Sequence, residues 1–168
     1  MLSDRGLVDR VAGGDEEAFR ALYERFADRV FRYALTLVRN RHLAEEAAQE
    51  TMIAVWKSAQ RFEARSKVST WIFGIARNKV FDLLRREKRG ERMPDVPLVS
   101  PDPAPTLLKQ QLVAEAMSEL PELQREVVFL TFFEGLSYGE ISRILEIPEG
   151  TVKSRMFHAK RKMAEALT

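Results

Sequence analysis

Five of the chain's seven prolines, Pro94, Pro97, Pro101, Pro103 and Pro105, fall within residues 93–105. Proline fixes φ and has no amide hydrogen, so a run of this density is neither helix nor central strand. It reads as an extended linker and divides the 168 residues into two parts, 1–92 and 106–168. Neither part shows apolar residues alternating at period two between turn signals, and both show helical spacing. The expected fold is all-α: two small helical domains joined by a Pro-rich linker.

The C-terminal part carries the sharpest local pattern. Ser137 followed three residues on by Glu140 is a capping-box signature and starts a helix. A break follows at Glu146-Ile147-Pro148, where Pro148 stops one helix and suits the first turn of the next. Two helices joined by three or four residues make a helix-turn-helix, whose second helix enters the DNA major groove. In that second helix Val152, Met156, Ala159 and Met163 share one apolar face. Ser154, Phe157 and Arg161 lie opposite, flanked by Lys153 and His158. Hydrogen-bonding, cationic and aromatic side chains on one outward face suit contact with base edges and phosphates. An amphipathic surface helix with one exposed phenylalanine is the plainer alternative.

In the N-terminal part a short helix near Leu7–Val11 precedes Gly13-Gly14. Asp15 then caps a helix running to about Arg39, with Phe19, Leu22, Phe26, Val30, Tyr33 and Leu37 at helical spacing. Asn40-Arg41 breaks the chain before a helix over 42–60. That helix reads as apolar on two sides, with Met52, Val55, Trp56 and Ala59 on one and Leu43, Ala47 and Ala54 on the other. It therefore lies deep in the core or is shared with a partner protein. Residues 62–67 read as a loop, and Ser69 as the cap of a helix to about Arg89. Its buried face is expected to hold Val68, Ile72, Ile75, Ala76, Val80 and Leu83. Its outward face is expected to hold Thr70, Gly74, Arg77, Asn78, Phe81, Arg85 and Lys88, with Trp71 on the flank. Aromatic rings among cations and amides can hold unstacked bases and a single-stranded backbone. A basic surface helix whose Trp71 and Phe81 are core residues is the alternative.

Charge is segregated. Residues 61–92 hold ten Lys/Arg against four Asp/Glu, residues 93–148 three against nine, and residues 149–168 five against two. Two basic blocks about an acidic one suggest two contacts with a polyanion, or else solvated helix faces. The absence of cysteine excludes disulfides, thiolate metal sites and a cysteine nucleophile. His42 and His158, the two histidines, have no visible triad or metal partner, and no glycine loop cradles phosphate. No catalytic residue, metal site or cofactor is expected. The charged first twenty residues do not read as a signal peptide. The longest uncharged apolar run, Val68–Ala76, is too short to span a membrane, so a cytoplasmic protein without membrane insertion is expected.

Five segments carry a family resemblance. Ala44-Glu45-Glu46-Ala47-Ala48-Gln49-Glu50-Thr51-Met52-Ile53-Ala54-Val55-Trp56 and Ser69-Thr70-Trp71-Ile72-Phe73-Gly74-Ile75-Ala76-Arg77-Asn78-Lys79 resemble two segments of the promoter-binding domain of bacterial sigma factors. Leu120–Val127, Leu136–Ile141 and Gly150–Arg155 resemble the sigma C-terminal DNA-binding domain. The plan of two domains and a short linker is similar to that of the extracytoplasmic-function (ECF) group.

The resemblance implies an initiation factor, not an enzyme, with core RNA polymerase and promoter DNA as partners and an anti-sigma factor as regulator. It implies that Ser66, Ser69, Thr70, Trp71, Arg77 and Asn78 contact the minus-ten element, with a flipped base captured in the 62–71 loop. The basic end of that helix adds Arg85 and Lys88 as phosphate contacts. The minus-thirty-five element falls to Lys153, Ser154, Phe157 and His158, with Arg155, Lys160 and Arg161 near phosphates. The polymerase surface is implied to be Glu45, Glu46, Gln49, Glu50 and Trp56. A helix-turn-helix regulator of another kind and an adaptor that binds polymerase without initiating are the rival readings.

Overall fold

The computed structural model describes residues 2–90 and 108–167. The chain divides into two compact units, parted between Val96 and Pro97. The expected linker, 93–105, lies outside the described residues. Every regular element among the described residues is helical.

The first unit contains four helices whose starts are set by local capping. In α1, Asp4–Ala12, the Ser3 hydroxyl accepts from the Gly6 amide at 3.0 Å. The chain then turns at Gly14, whose φ of +89° favours glycine. In α2, Glu16–Val38, Asp15 accepts from the amides of Glu17 and Ala18 at 3.0 and 3.1 Å. Asn40 caps α3, Arg41–Ser58, through the Leu43 amide at 3.0 Å. A 3-10 turn, Ala59–Arg61, and a loop lead into α4, Val68–Lys88. The core is a seam of Leu22, Phe26, Val30 and Tyr33 from α2, Ala44, Ala47 and Val55 from α3, and Ile72, Phe73, Ala76 and Val80 from α4, all fully buried. Tyr33 meets Phe73 edge-on at 5.4 Å. Each such aromatic contributes about 2–3 kcal/mol by burial, which locks the three long helices together.

Three expectations for this unit change. Ser69 is not the cap of α4. Lys67 holds that position without a side-chain bond, and Ser69 lies in the first turn. Phe73, not Ile75, completes the buried face of α4, while Ile75 is half-buried. At 100° per residue Phe73 extends the buried arc past Val80 toward the buried Thr70, while Ile75 lies past Val68 at the opposite edge. Nor is α3 apolar on two opposed sides. Leu43, Ala44, Ala47, Ala48, Met52 and Val55 form one continuous buried arc.

The second unit packs α5, Leu108–Ser118, α6, Glu122–Val128, α7, Tyr138–Leu145, and α8, Glu149–Leu167. The core joins Val127, Val128 and Leu130 to Ile141, Val152, Met156 and Ala159. Helix α6 widens into a π turn over Phe129–Phe133, which leaves Phe132 and Phe133 on the surface. Arg125 of α6 is buried and donates to the Leu120 carbonyl at 3.0 Å. The capping box forms as the sequence indicates. The Glu140 amide donates to Ser137 Oγ at 3.1 Å, and the Ser137 amide to Glu140 Oε2 at 2.8 Å. Helix α7 ends at Glu146 in the left-handed region, φ 56°. The Ser142 hydroxyl donates to the Ile147 carbonyl at 2.6 Å and holds the turn. Pro148 lies just before α8 instead of within its first turn.

Candidate nucleic-acid and polymerase interfaces

Helix α8 is held by its apolar stripe. Val152, Met156 and Ala159 are at most 1% exposed. That anchoring turns Lys153, Ser154, Phe157, His158, Lys160 and Arg161 to the surface. Phe157 is 57% exposed, with the Arg161 guanidinium 5.9 Å from its ring centre and the His158 ring edge-on at 5.5 Å. Lys153 reaches Glu149 at 3.9 Å, and Arg155 is half-buried at the edge of the stripe. An exposed ring bordered by cations and a hydroxyl can make apolar contact with a thymine methyl while the cations meet phosphates.

Helix α4 and the loop before it form a second basic surface. Asn78, Arg85 and Lys88 are exposed. The Arg77 guanidinium lies 4.5 Å from the Phe81 ring centre, and Arg85 pairs with Asp82. Trp71 is half-buried and packs on Phe62 at 4.9 Å, so one ring face supports the loop and the rest is accessible. Ser66 is half-buried in the loop, where its hydroxyl donates to the Lys67 carbonyl at 3.3 Å. The loop spans 62–67 only, since residues 68–71 form the first turn of α4. It bends at Ala64, whose φ of 59° is unusual for a residue with a Cβ.

Thr70 is not on this surface. It is 4% exposed and its hydroxyl, fully buried, has no hydrogen-bond partner. Its side chain at the start of α4 points into the unit, so the expected outward position is corrected. The other expected residues of this site, Ser66, Ser69, Trp71, Arg77, Asn78, Arg85 and Lys88, are all at least partly accessible.

Helix α3 presents a third surface. Glu45, Gln49, Ile53 and Trp56 are exposed along one side, with Glu46 half-buried at its margin. Ile53 is 51% exposed, more than Trp56 at 37%. Trp56 leans edge-on against Phe19 at 5.2 Å, and Phe19 meets the exposed Tyr23 at 6.3 Å. Glu45 pairs with Arg41 at 3.2 Å. Glu50 is drawn away from this surface: its two carboxylate oxygens accept from Arg86 on α4 at 3.0 and 3.2 Å. Glu50 thus ties α3 to α4, and Arg86 is not an uncommitted phosphate contact. Both side chains are about one-third exposed, which limits the pair to about 0.5–1 kcal/mol. Ile53 lies within the segment that carries the resemblance, yet it stands out only once the buried arc of α3 is known.

Comparison with known proteins agrees with this layout. The family model for sigma-70 region 2 matches residues 22–90, and that for sigma-70 region 4 matches residues 110–163. SigK, an ECF RNA polymerase sigma factor of Mycobacterium tuberculosis, is 30% identical over 96% of this chain and 91% of its own length. RpoE, an ECF sigma factor of Cereibacter sphaeroides, is 37% identical over 84% of this chain and 82% of its own. The chain belongs to the ECF RNA polymerase sigma factors. Sigma factor RpoE of Bartonella quintana, solved in complex with the anti-sigma factor NepR, is 25% identical with a TM-score of 0.73, covering 89% of this chain and 96% of that one.

The region 2 match spans α2, α3 and α4, which hold the second and third surfaces. The region 4 match reaches from α5 through most of α8. In this sigma factor each surface is therefore built inside a single matched unit. Among the described residues no group of His, Cys, Asp or Glu could hold a metal ion, and no helix is long and apolar enough to cross a membrane.

Proposed function

We propose that this ECF sigma factor seats core RNA polymerase on promoters through the three surfaces described. Helix α3 meets the polymerase through Ile53 and Trp56, with Glu45, Glu46 and Gln49 as a polar rim that fixes register. Helix α4 and the 62–67 loop hold the minus-ten element, with Trp71 and Asn78 toward an unstacked base and Arg77, Arg85 and Lys88 toward the backbone. Helix α8 reads the minus-thirty-five element through Lys153, Ser154, Phe157 and His158, while Arg155, Lys160 and Arg161 contact phosphate. The boundaries are those of the sequence reading: 1–92 for polymerase and minus-ten binding, 93–105 as linker, 106–168 for minus-thirty-five binding. The protein acts in the cytoplasm, where the polymerase is, and contributes binding energy while the polymerase supplies the chemistry. An anti-sigma factor holds it inactive, a reading supported by the Bartonella relative having been solved in complex with one.

The observation that carries this reading is α8. Four buried residues fix its rotation, and the set turned outward combines base-reading groups with phosphate-binding ones. The test is transcription with purified core polymerase on genomic fragments. Initiation at defined start sites that requires the added chain supports it. Polymerase binding without initiation would instead indicate an adaptor.

A further inference from the structure

Gly74 lies well inside α4, far from either end of the helix. An interior glycine weakens a helix, because it leaves the unfolded chain more freedom and adds no side chain to pack. Two internal reasons can retain one, and neither applies. Its φ is ordinary; the positive values among the described glycines belong to Gly14, Gly90 and Gly135. Nor is it crowded. Apart from its chain neighbours and its own turns of helix, a methyl group there would meet no heavy atom within 4 Å. The unit itself therefore gains nothing from the missing side chain.

What the glycine does is leave backbone bare at a particular place. At 100° per residue it falls in the centre of the outward arc of α4, with Trp71 and Asn78 to one side and Arg77 and Phe81 to the other. Trp71 lies about one turn before it and Asn78 about one turn after. Both ends of this stretch are built up. Trp71 is backed by Phe62 at 4.9 Å, and the Arg77 guanidinium lies 4.5 Å from the Phe81 ring centre. Gly74 is thus the floor of a saddle between two aromatic edges. The groups around it suit an anionic, unstacked polymer: a ring for a base, an amide for its neighbour, and cations for phosphates. Trp71 and Asn78 are about 10 Å apart along the helix axis. A strand that meets both must carry its sugar and phosphate across Gly74.

We infer that Gly74 is a seat for the deoxyribose–phosphate backbone of single-stranded DNA. It is a positioning residue: the strand lies closer to α4 there, by the depth of one methyl group, than any other residue would permit. A strand held away at this point reaches the Trp71 ring or the Asn78 amide, but not both. The seat rests on the reading of α4 as the single-strand surface.

The test titrates the full chain and its variants into a fluorescein-labelled oligodeoxythymidine of twelve residues, followed by anisotropy, with a thermal melt of each variant. Thymidine suffices because stacking on an aromatic ring tolerates any base. Gly74→Ala should weaken strand binding at least fivefold and raise the Tm of the first unit by about 4 °C, since alanine is the better helix former and its methyl group enters open space. Gly74→Leu should weaken binding at least twentyfold. The loss is steric, so both variants should keep the salt dependence of the unmodified chain, whereas Arg85→Gln should flatten it. In the unmodified chain the Gly74 amide should shift on titration together with that of Asn78. Unchanged binding by Gly74→Ala beside weakened binding by Trp71→Ala would overturn the seat and keep the surface. Weakened binding by Gly74→Ala beside unchanged binding by Trp71→Ala would keep the seat and remove Trp71 as the stacking ring. Unchanged binding by Gly74→Ala, Trp71→Ala and Asn78→Ala alike would remove the surface and the seat with it. A lower Tm in Gly74→Ala would give the glycine a structural role inside the unit and overturn the proposal. So would weaker core polymerase binding by that variant with strand binding intact, which would assign the saddle to a protein.

Discussion

Replacing Ile53 by alanine separates folding from binding on the α3 surface. Ile53 is 51% exposed in the free chain, so about half of its surface remains to be covered by a partner. Truncation removes roughly 60 Å² of that apolar area, which at about 25 cal/mol/Å² corresponds to about 1.5 kcal/mol of interface burial. The expected loss is about tenfold in Kd for core polymerase. Stability should scarcely move: the lost area faces water and alanine is the better helix former, so the Tm should stay within about 3 °C. The assay titrates core polymerase into a labelled chain at two salt concentrations. An apolar contact predicts the same loss at both, whereas Glu45→Gln should lose its effect as salt screens the rim. Unchanged affinity of Ile53→Ala at either salt would place the polymerase surface away from α3.

Thr70→Val should raise the Tm of the first unit by a few degrees, because it removes a buried hydroxyl that lacks a partner, worth about 1 kcal/mol. It should leave binding to a minus-ten single strand unchanged, and a loss would restore Thr70 as a DNA contact. Glu50→Lys, by contrast, breaks the link to Arg86, so a melt should show a drop of about 0.5–1 kcal/mol. Phe157→Ala should relax preference at one base pair of the minus-thirty-five element by about 1–3 kcal/mol without lowering the Tm. A uniform loss across all sequences in a binding competition would refute its role as a reader. Ser137→Ala should destabilise the second unit by about 1 kcal/mol, read by its thermal transition, since it removes the hydroxyl that accepts from the Glu140 amide, while the Ser137 amide can still donate to Glu140.

Locally determined features were legible in the sequence. The starts of α2 and α7 follow from Asp15 and the Ser137/Glu140 pair, because a cap bonds amides two or three residues away. The rotation of α8 followed from four apolar positions at helical spacing, and with it the outward set around Phe157. The family itself was legible because its motifs are contiguous runs. Other features required tertiary structure. Whether Trp71 lies against Phe62 depends on how the 62–67 loop folds onto α4, and whether Glu50 meets Arg86 thirty-six residues away depends on how α3 and α4 cross; periodicity within one helix encodes neither. Thr70 and Asn78 both looked polar and outward on α4. The packing of the helix start buries one and exposes the other. On α3, small alanines and large aliphatics occur all around the helix, so hydrophobicity did not show which side was core. Only the approach of α2 and α4 covered Ala44, Ala47 and Val55 and left Ile53 facing water, since burial depends on which neighbour comes within contact distance.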